Sequence, residues 1–132
     1  RRGEALDMLQ AMNTGHDGSM TTIHANSSRE ALYRLETLVL MGGLELPLPV
    51  IRKHIASSMD LIIQIKRFRS GVRKIVNVSE VTGMEADTIL LQDLFTMDET
   101  NLDSVATPSG FIPTFLPELQ ERGINIENEF FT

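Results

Sequence analysis

Cysteine is absent from the 132 residues, which rules out a disulfide framework and a thiolate metal site and leaves no pointer to an oxidising compartment. No apolar run approaches the roughly 18 residues that a membrane-spanning helix needs, and the residues present include no charged-then-apolar signal segment. Lysine is scarce: only Lys53, Lys66 and Lys74 occur, none after a glycine and none before Ser or Thr. The chain therefore contains no Gly-x-x-x-x-Gly-Lys-[Ser/Thr] cradle, in which backbone N–H groups and a lysine hold a nucleotide's phosphates. Internal repeats, low-complexity tracts and His-Glu-x-x-His or comparable metal spacings are missing too. Basic residues are outnumbered 12 to 18, for a net charge of −6, and this opposes a general nucleic-acid surface.

What is present is ordinary for a soluble globular chain: 42% hydrophobic and 23% charged residues. A domain of this length buries about two thirds of its unfolded surface, enough for a core. The basic residues are uneven, with Lys66, Arg67, Arg69, Arg73 and Lys74 crowded on one predicted hairpin. That cluster reads as a solvated tip rather than a phosphate or lipid patch.

Along the chain, Ala5, Met8, Leu9 and Met12 predict a helix over Gly3 to Thr14, stopped by Gly15. Ser19 to His24 reads as a short strand, carried by Thr21, Thr22 and Ile23. Ala31, Leu32, Leu35, Leu38 and Val39 predict a helix over Ser28 to Met41, broken at Gly42-Gly43, and Ile51, Ile55 and Met59 a shorter one from Pro49 to Ser58. Leu61 to Phe68 and Val72 to Val81 form a predicted hairpin around Ser70-Gly71, with a further turn over Gly83 to Asp87 and a strand over Thr88 to Phe95. Acidic and small residues then mark a linker or mobile loop, after which Pro113 to Arg122 predicts a helix ended by Gly123. Ile124, Ile126, Phe130 and Phe131 are the apolar anchors of that tail. The expected organisation is residues 1–97 as one body, 98–110 as linker or mobile loop and 111–132 as a helical tail.

The most informative stretch is 13–27, where Gly15 and Gly18 bracket a turn and His24-Ala25-Asn26-Ser27 falls where a strand ends and a helix begins. In open α/β sheets ligands sit at such junctions. Ser27 and Glu30 have the Ser-x-x-Glu spacing of a capping box. On the residues alone, His24 reads as a hydrogen-bonding partner of the helix start. His16, Asp17 and His24 are conceivable metal ligands without a recognisable spacing, and no metal is expected.

Arg1, Gly3, Glu4-Ala5-Leu6, Leu9 to His16, Thr22-Ile23-His24-Ala25-Asn26-Ser27 and Arg29 through Arg34-Leu35-Glu36 together resemble the region after the Walker B strand in ATPases of the type II/IV secretion superfamily, most closely the CpaF-type pilus-assembly ATPases. There the Thr-Ile-His-Ala-Asn-Ser run is the histidine box. Gly83-Met84-Glu85, Leu91 to Phe95, Pro113, Leu116 and Gly123-Ile124 look like the end of the same family.

The resemblance implies an α/β fold: part of a RecA-like P-loop NTPase domain with a mixed sheet, a β-rich hairpin region and a small helical tail. Arg1 matches the arginine of the Gly-Glu-x-Arg Walker B motif, so the catalytic glutamate is expected upstream and the chain is read as a piece of a longer protein. By resemblance the catalytic candidates are His24, Thr22, Arg1 and Glu4, with His24 a γ-phosphate sensor or an organiser of the glutamate and water. Asn26, Arg29 and Arg34 are the nucleotide-binding candidates. Arg1, Arg29 and Arg34 could each act across a subunit boundary, Arg34 being equally readable as a solvated helix residue. ATP and Mg²⁺ are the cofactors implied for the whole protein, and none is expected for this piece alone. The implied partners are a homohexamer and inner-membrane platform proteins, without nucleic acid, at the cytoplasmic face of the inner membrane. A non-enzymatic oligomerisation or interaction module is the other reading.

Overall fold

The computed structural model describes Asp7, residues 18–43 and residues 45–132. The expected helix over Gly3 to Thr14 lies outside the described residues save for Asp7, which is helical. Arg1, Glu4, His16 and Asp17 also lie outside them. The described elements are helix α1 (Ser28–Met41), helix α2 (Leu48–Ser58), strands β1 (Leu61–Arg67), β2 (Arg73–Glu85), β3 (Thr88–Thr96) and β4 (Thr107–Pro108), a short helix α3 (Leu116–Glu121) and a 3₁₀ turn (Asn128–Phe131). The protein is thus a mixed α/β chain, and no described helix is long and apolar enough to cross a membrane.

The sheet runs β1-β2-β3-β4 and is antiparallel, where a mixed sheet was expected. Chain length explains the difference, because a parallel neighbour needs a crossover of about a dozen residues. Only residues 68–72 separate β1 from β2, and only Ala86-Asp87 separates β2 from β3. The expected strand over Ser19 to His24 does not form; residues 18–25 have no regular structure. β-branched residues favour a strand only where a ladder partner is at hand, and no described strand pairs with this segment.

Contacts divide the chain into two compact units, residues 1–60 with 83–90 and residues 61–82 with 91–132. In the first, α1 buries Leu32, Leu35, Glu36 and Val39 on one face, and α2 buries Ile51 and Ile55. Ile89, from the β2–β3 hairpin, completes that core. Gly42 stays right-handed and Gly43 takes φ 93°, so the second of the two glycines supplies the left-handed stop.

The second unit buries Val76, Val81, Leu94, Met97, Leu116 and Phe131. In its tail the rings of Phe130 and Phe131 meet Phe95 at 5.7 and 5.8 Å between centroids. Buried Glu80 accepts a 3.0 Å bond from the Thr114 N–H and another from the Thr114 hydroxyl, so the carboxylate is satisfied where it enters the core. Residues 98–110, expected as a linker or mobile loop, include β4, whose Thr107 and Pro108 pair with Thr96 and Phe95. Lys74 also donates to the Leu102 and Ser104 carbonyls, the latter at 2.9 Å. Two paired residues are too few to leave a sequence pattern, and Pro108 suits the edge position it takes.

Candidate functional site

The approach to α1 builds the candidate site in the first unit. Ser27 is the N-cap, extended at φ −156° and ψ 165°, and its hydroxyl accepts the Glu30 N–H at 3.1 Å. The Glu30 carboxylate reaches back to the Asn26 N–H at 3.3 Å. The reciprocal cap expected from the Ser-x-x-Glu spacing therefore forms, with the return bond one residue earlier than in the usual box. It fixes the direction in which residues 22–26 leave the helix.

Thr22, His24 and Asn26 are exposed on that segment. They precede the capped N-terminus of α1 in the chain, the end of a helix whose dipole favours an anion. His24 sits at the end of an irregular segment rather than of a strand. A hydroxyl, an imidazole and a carboxamide in the space of five residues offer neutral or cationic hydrogen-bond donors to phosphate oxygens, beside the Glu30 carboxylate that already holds the Asn26 N–H.

The two described arginines among the candidates have different surroundings. Arg29 is half-buried and donates Nη1 to the Ile89 carbonyl at 2.6 Å, which ties the first turn of α1 to the β2–β3 hairpin. Arg34 is exposed and lies 3.9 Å from Glu30, a surface pair one helical turn long that contributes little.

Sequence reasoning missed the pair that braces this unit. Glu36 is buried on the apolar face of α1, and Arg52 of α2 meets it at 2.7 Å from Nε and 3.5 Å from Nη2. Arg52 Nη1 also reaches the Asp87 carbonyl at 3.3 Å. The carboxylate of Glu36 raises the guanidinium's pKa further above its already high range, against the opposing effect of burial. The signal was available: Glu36 follows Leu32 and Leu35 and precedes Val39 on the stripe that must face inward, so it demanded a cation. With Arg29, Arg52 gives the hairpin a second arginine bonded to a backbone carbonyl.

A groove of about 570 Å³ lies elsewhere in the same unit, lined by Val50, Lys53 and Ser57 of α2 and by Gly83, Met84 and Ala86 of the hairpin. None of the sequence-derived candidates lines it. Among the described residues no group of three His, Cys, Asp or Glu could hold a metal ion.

Comparison with known proteins gives this segment its context. A family model described as "Type II/IV secretion system protein" matches residues 1–100. The conjugal transfer protein TrbB of Rhizobium radiobacter is 40% identical over 80 residues, 59% of this chain and 24% of its own length. The type IV secretion system protein PtlH of Bordetella pertussis is 37% identical over 92 residues, 65% of this chain and 26% of its own. VirB11 of Bartonella henselae, also a type IV secretion system protein, is 39% identical over 69 residues, 51% of this chain and 19% of its own. The chain thus spans about a quarter of the length of the curated relatives it matches.

Proposed function

Because the chain belongs to the type II/IV secretion system protein family, we propose that it forms the histidine-box and carboxyl-terminal portion of a secretion or pilus-assembly motor ATPase. In this reading the motor domain is RecA-like, its finer kinship is with the CpaF type, and it works as a homohexamer. It sits at the cytoplasmic face of the inner membrane, against integral-membrane platform proteins. ATP hydrolysis there drives pilin assembly or protein export.

The observation that carries the reading is the exposure of Thr22, His24 and Asn26 ahead of the capped start of α1, inside the family-matched residues. The residues present fit the rim of a nucleotide site and not its centre. Exposed donors face outward, but the sequence holds no glycine-rich phosphate cradle and the described residues hold no acidic cluster for Mg²⁺. His24 accordingly stands as a positioning or sensing group for an outermost phosphate held by other residues. Donors aimed at developing charge on a transferring phosphoryl group are the main source of catalysis in such reactions. This chain alone is expected to show no ATP turnover above blank.

The test is His24→Ala in a motor that contains these residues together with a phosphate cradle. We expect kcat to fall by about 10²-fold, the scale of losing one preorganised donor, with a small change in KM. Unchanged kcat removes His24 from the mechanism and favours an interaction module.

A further inference from the structure

We propose that Arg29 is a positioning residue rather than a contact to nucleotide: it holds the start of α1 against β3 and so sets where Thr22, His24 and Asn26 are presented. Its effect on catalysis rests on the motor reading; its hold on the helix start does not. Packing alone would ask for an apolar side chain at this position. Arg29, Leu32, Glu36 and Val39 follow one another at three-to-four spacing, so Arg29 is the first member of the stripe that α1 buries. It is half-buried there, and its Nη1 donates to the Ile89 carbonyl at 2.6 Å. A cation in the first turn of a helix opposes the dipole, so the placement needs an acceptor to offset it. No ion pair among the described residues supplies one, since Glu30 pairs with Arg34 and Glu36 with Arg52. The carbonyl of Ile89 does.

That acceptor is anchored. Ile89 is 2% exposed, so its carbonyl moves only with the core it helps to build. Seven residues beyond Arg29, Glu36 holds Arg52, whose Nη1 donates to the Asp87 carbonyl at 3.3 Å. Residues 29 and 36 lie two helical turns apart on one face, about 10 Å along the axis. A single tether to the hairpin would leave α1 free to rock about it; two at different heights do not. The direct tether is the one at the end that carries residues 22–26. Ser27 fixes the exit of the chain relative to α1, and Arg29 fixes α1 relative to β3.

The experiment compares Arg29→Met, which keeps the apolar stem and removes the donor, with Arg29→Lys, which keeps a charged donor. Amide exchange is measured on this chain without nucleotide. Arg29→Met should raise exchange at least about threefold at Asn26, Glu30 and Ala31, the amides bonded within the capped first turn, and leave Gly42 at the far end unchanged. Arg29→Lys should restore most of the protection. Steady-state kinetics is then measured on a motor that holds these residues together with a phosphate cradle. There Arg29→Met should lower kcat by about tenfold to a hundredfold, the cost of a small misplacement, with KM and the nucleotide Kd unchanged. Because Arg29 acts through the His24 segment, Arg29→Met/His24→Ala should lose far less than the product of the two single losses.

Unchanged exchange at Asn26, Glu30 and Ala31 in Arg29→Met overturns the proposal. So does a weakened nucleotide Kd in that variant, which marks a direct contact, or a double variant whose losses multiply. A silent His24→Ala overturns the motor reading instead, and the exchange result then decides the role of Arg29 by itself.

Discussion

Removing Arg52 should destabilise the first unit far more than removing Arg52 and Glu36 together. Glu36 is 6% exposed and its carboxylate has Arg52 as its bonded cation, at 2.7 Å. In Arg52→Met the carboxylate stays buried without that partner. Breaking a buried pair in this way costs about 3–5 kcal/mol. Arg52 itself is 24% exposed, so water reaches the vacated position and the lower end of that range, about 3 kcal/mol, is expected. Loss of the bond to the Asp87 carbonyl adds about 1 kcal/mol.

Glu36→Leu is milder. It frees a guanidinium that is already partly hydrated and still bonded to Asp87, and it extends the apolar stripe of Leu32, Leu35 and Val39. We expect about 1 kcal/mol of destabilisation. The double variant replaces the pair by two apolar groups and should lie about 1.5 kcal/mol below the parent, giving a coupling energy of about 3.5 kcal/mol. Urea denaturation at neutral pH measures all four corners. With a slope of about 1–3 kcal/mol per molar, Arg52→Met should move the midpoint down by more than 1 M. If the double variant is as unstable as the sum of the singles, the two side chains are independent and the bracing role assigned to them is wrong.

Two further outcomes are expected. Ser27→Ala should cost about 0.5–2 kcal/mol and raise amide exchange in the first turn of α1, because Glu30 then loses its hydroxyl acceptor; unchanged exchange at Glu30 would show that the cap does not hold this helix start. The Asp98 carboxyl is held below its usual range by bonds from the Thr100 hydroxyl and N–H, so its contribution to loop order is present above about pH 4 and lost as pH falls through the lowered value. An acid titration followed at the Thr100 amide should show that step, and Asp98→Asn should abolish it.

Much of the local structure was legible because it is set by short-range periodicity. The 3.6-residue stripe and the glycine stop placed α1 at Ser28–Met41, the bounds it has. The capping spacing of Ser27 and Glu30 was equally readable. β2 runs on to Glu85, past the Gly83 at which the turn was placed, because the turn is the two-residue step Ala86-Asp87. Ala86 adopts φ 52°, a conformation that glycine signals and alanine hides. The strand expected at Ser19 to His24 failed for the opposite reason. Its residues have the propensity, but a strand is a relation between two segments and propensity specifies only one of them.

The same distinction separates what was legible in the candidate site from what was not. His24, Thr22 and Asn26 were picked out by the resemblance of the consecutive run Thr22-Ile23-His24-Ala25-Asn26-Ser27 to the histidine box, and their place before a helix cap was readable in the same run. The bonds of Arg29 and Arg52 could not be read from the sequence, since each guanidinium meets a carbonyl, of Ile89 and of Asp87, 60 and 35 residues downstream. Those two bonds join α1 and α2 to the β2–β3 hairpin within one unit, so the helix start that presents His24 is oriented through Arg29 by a carbonyl of β3. A change at the hairpin that moves the Ile89 carbonyl therefore reaches the His24 segment without touching it, through the first turn of α1.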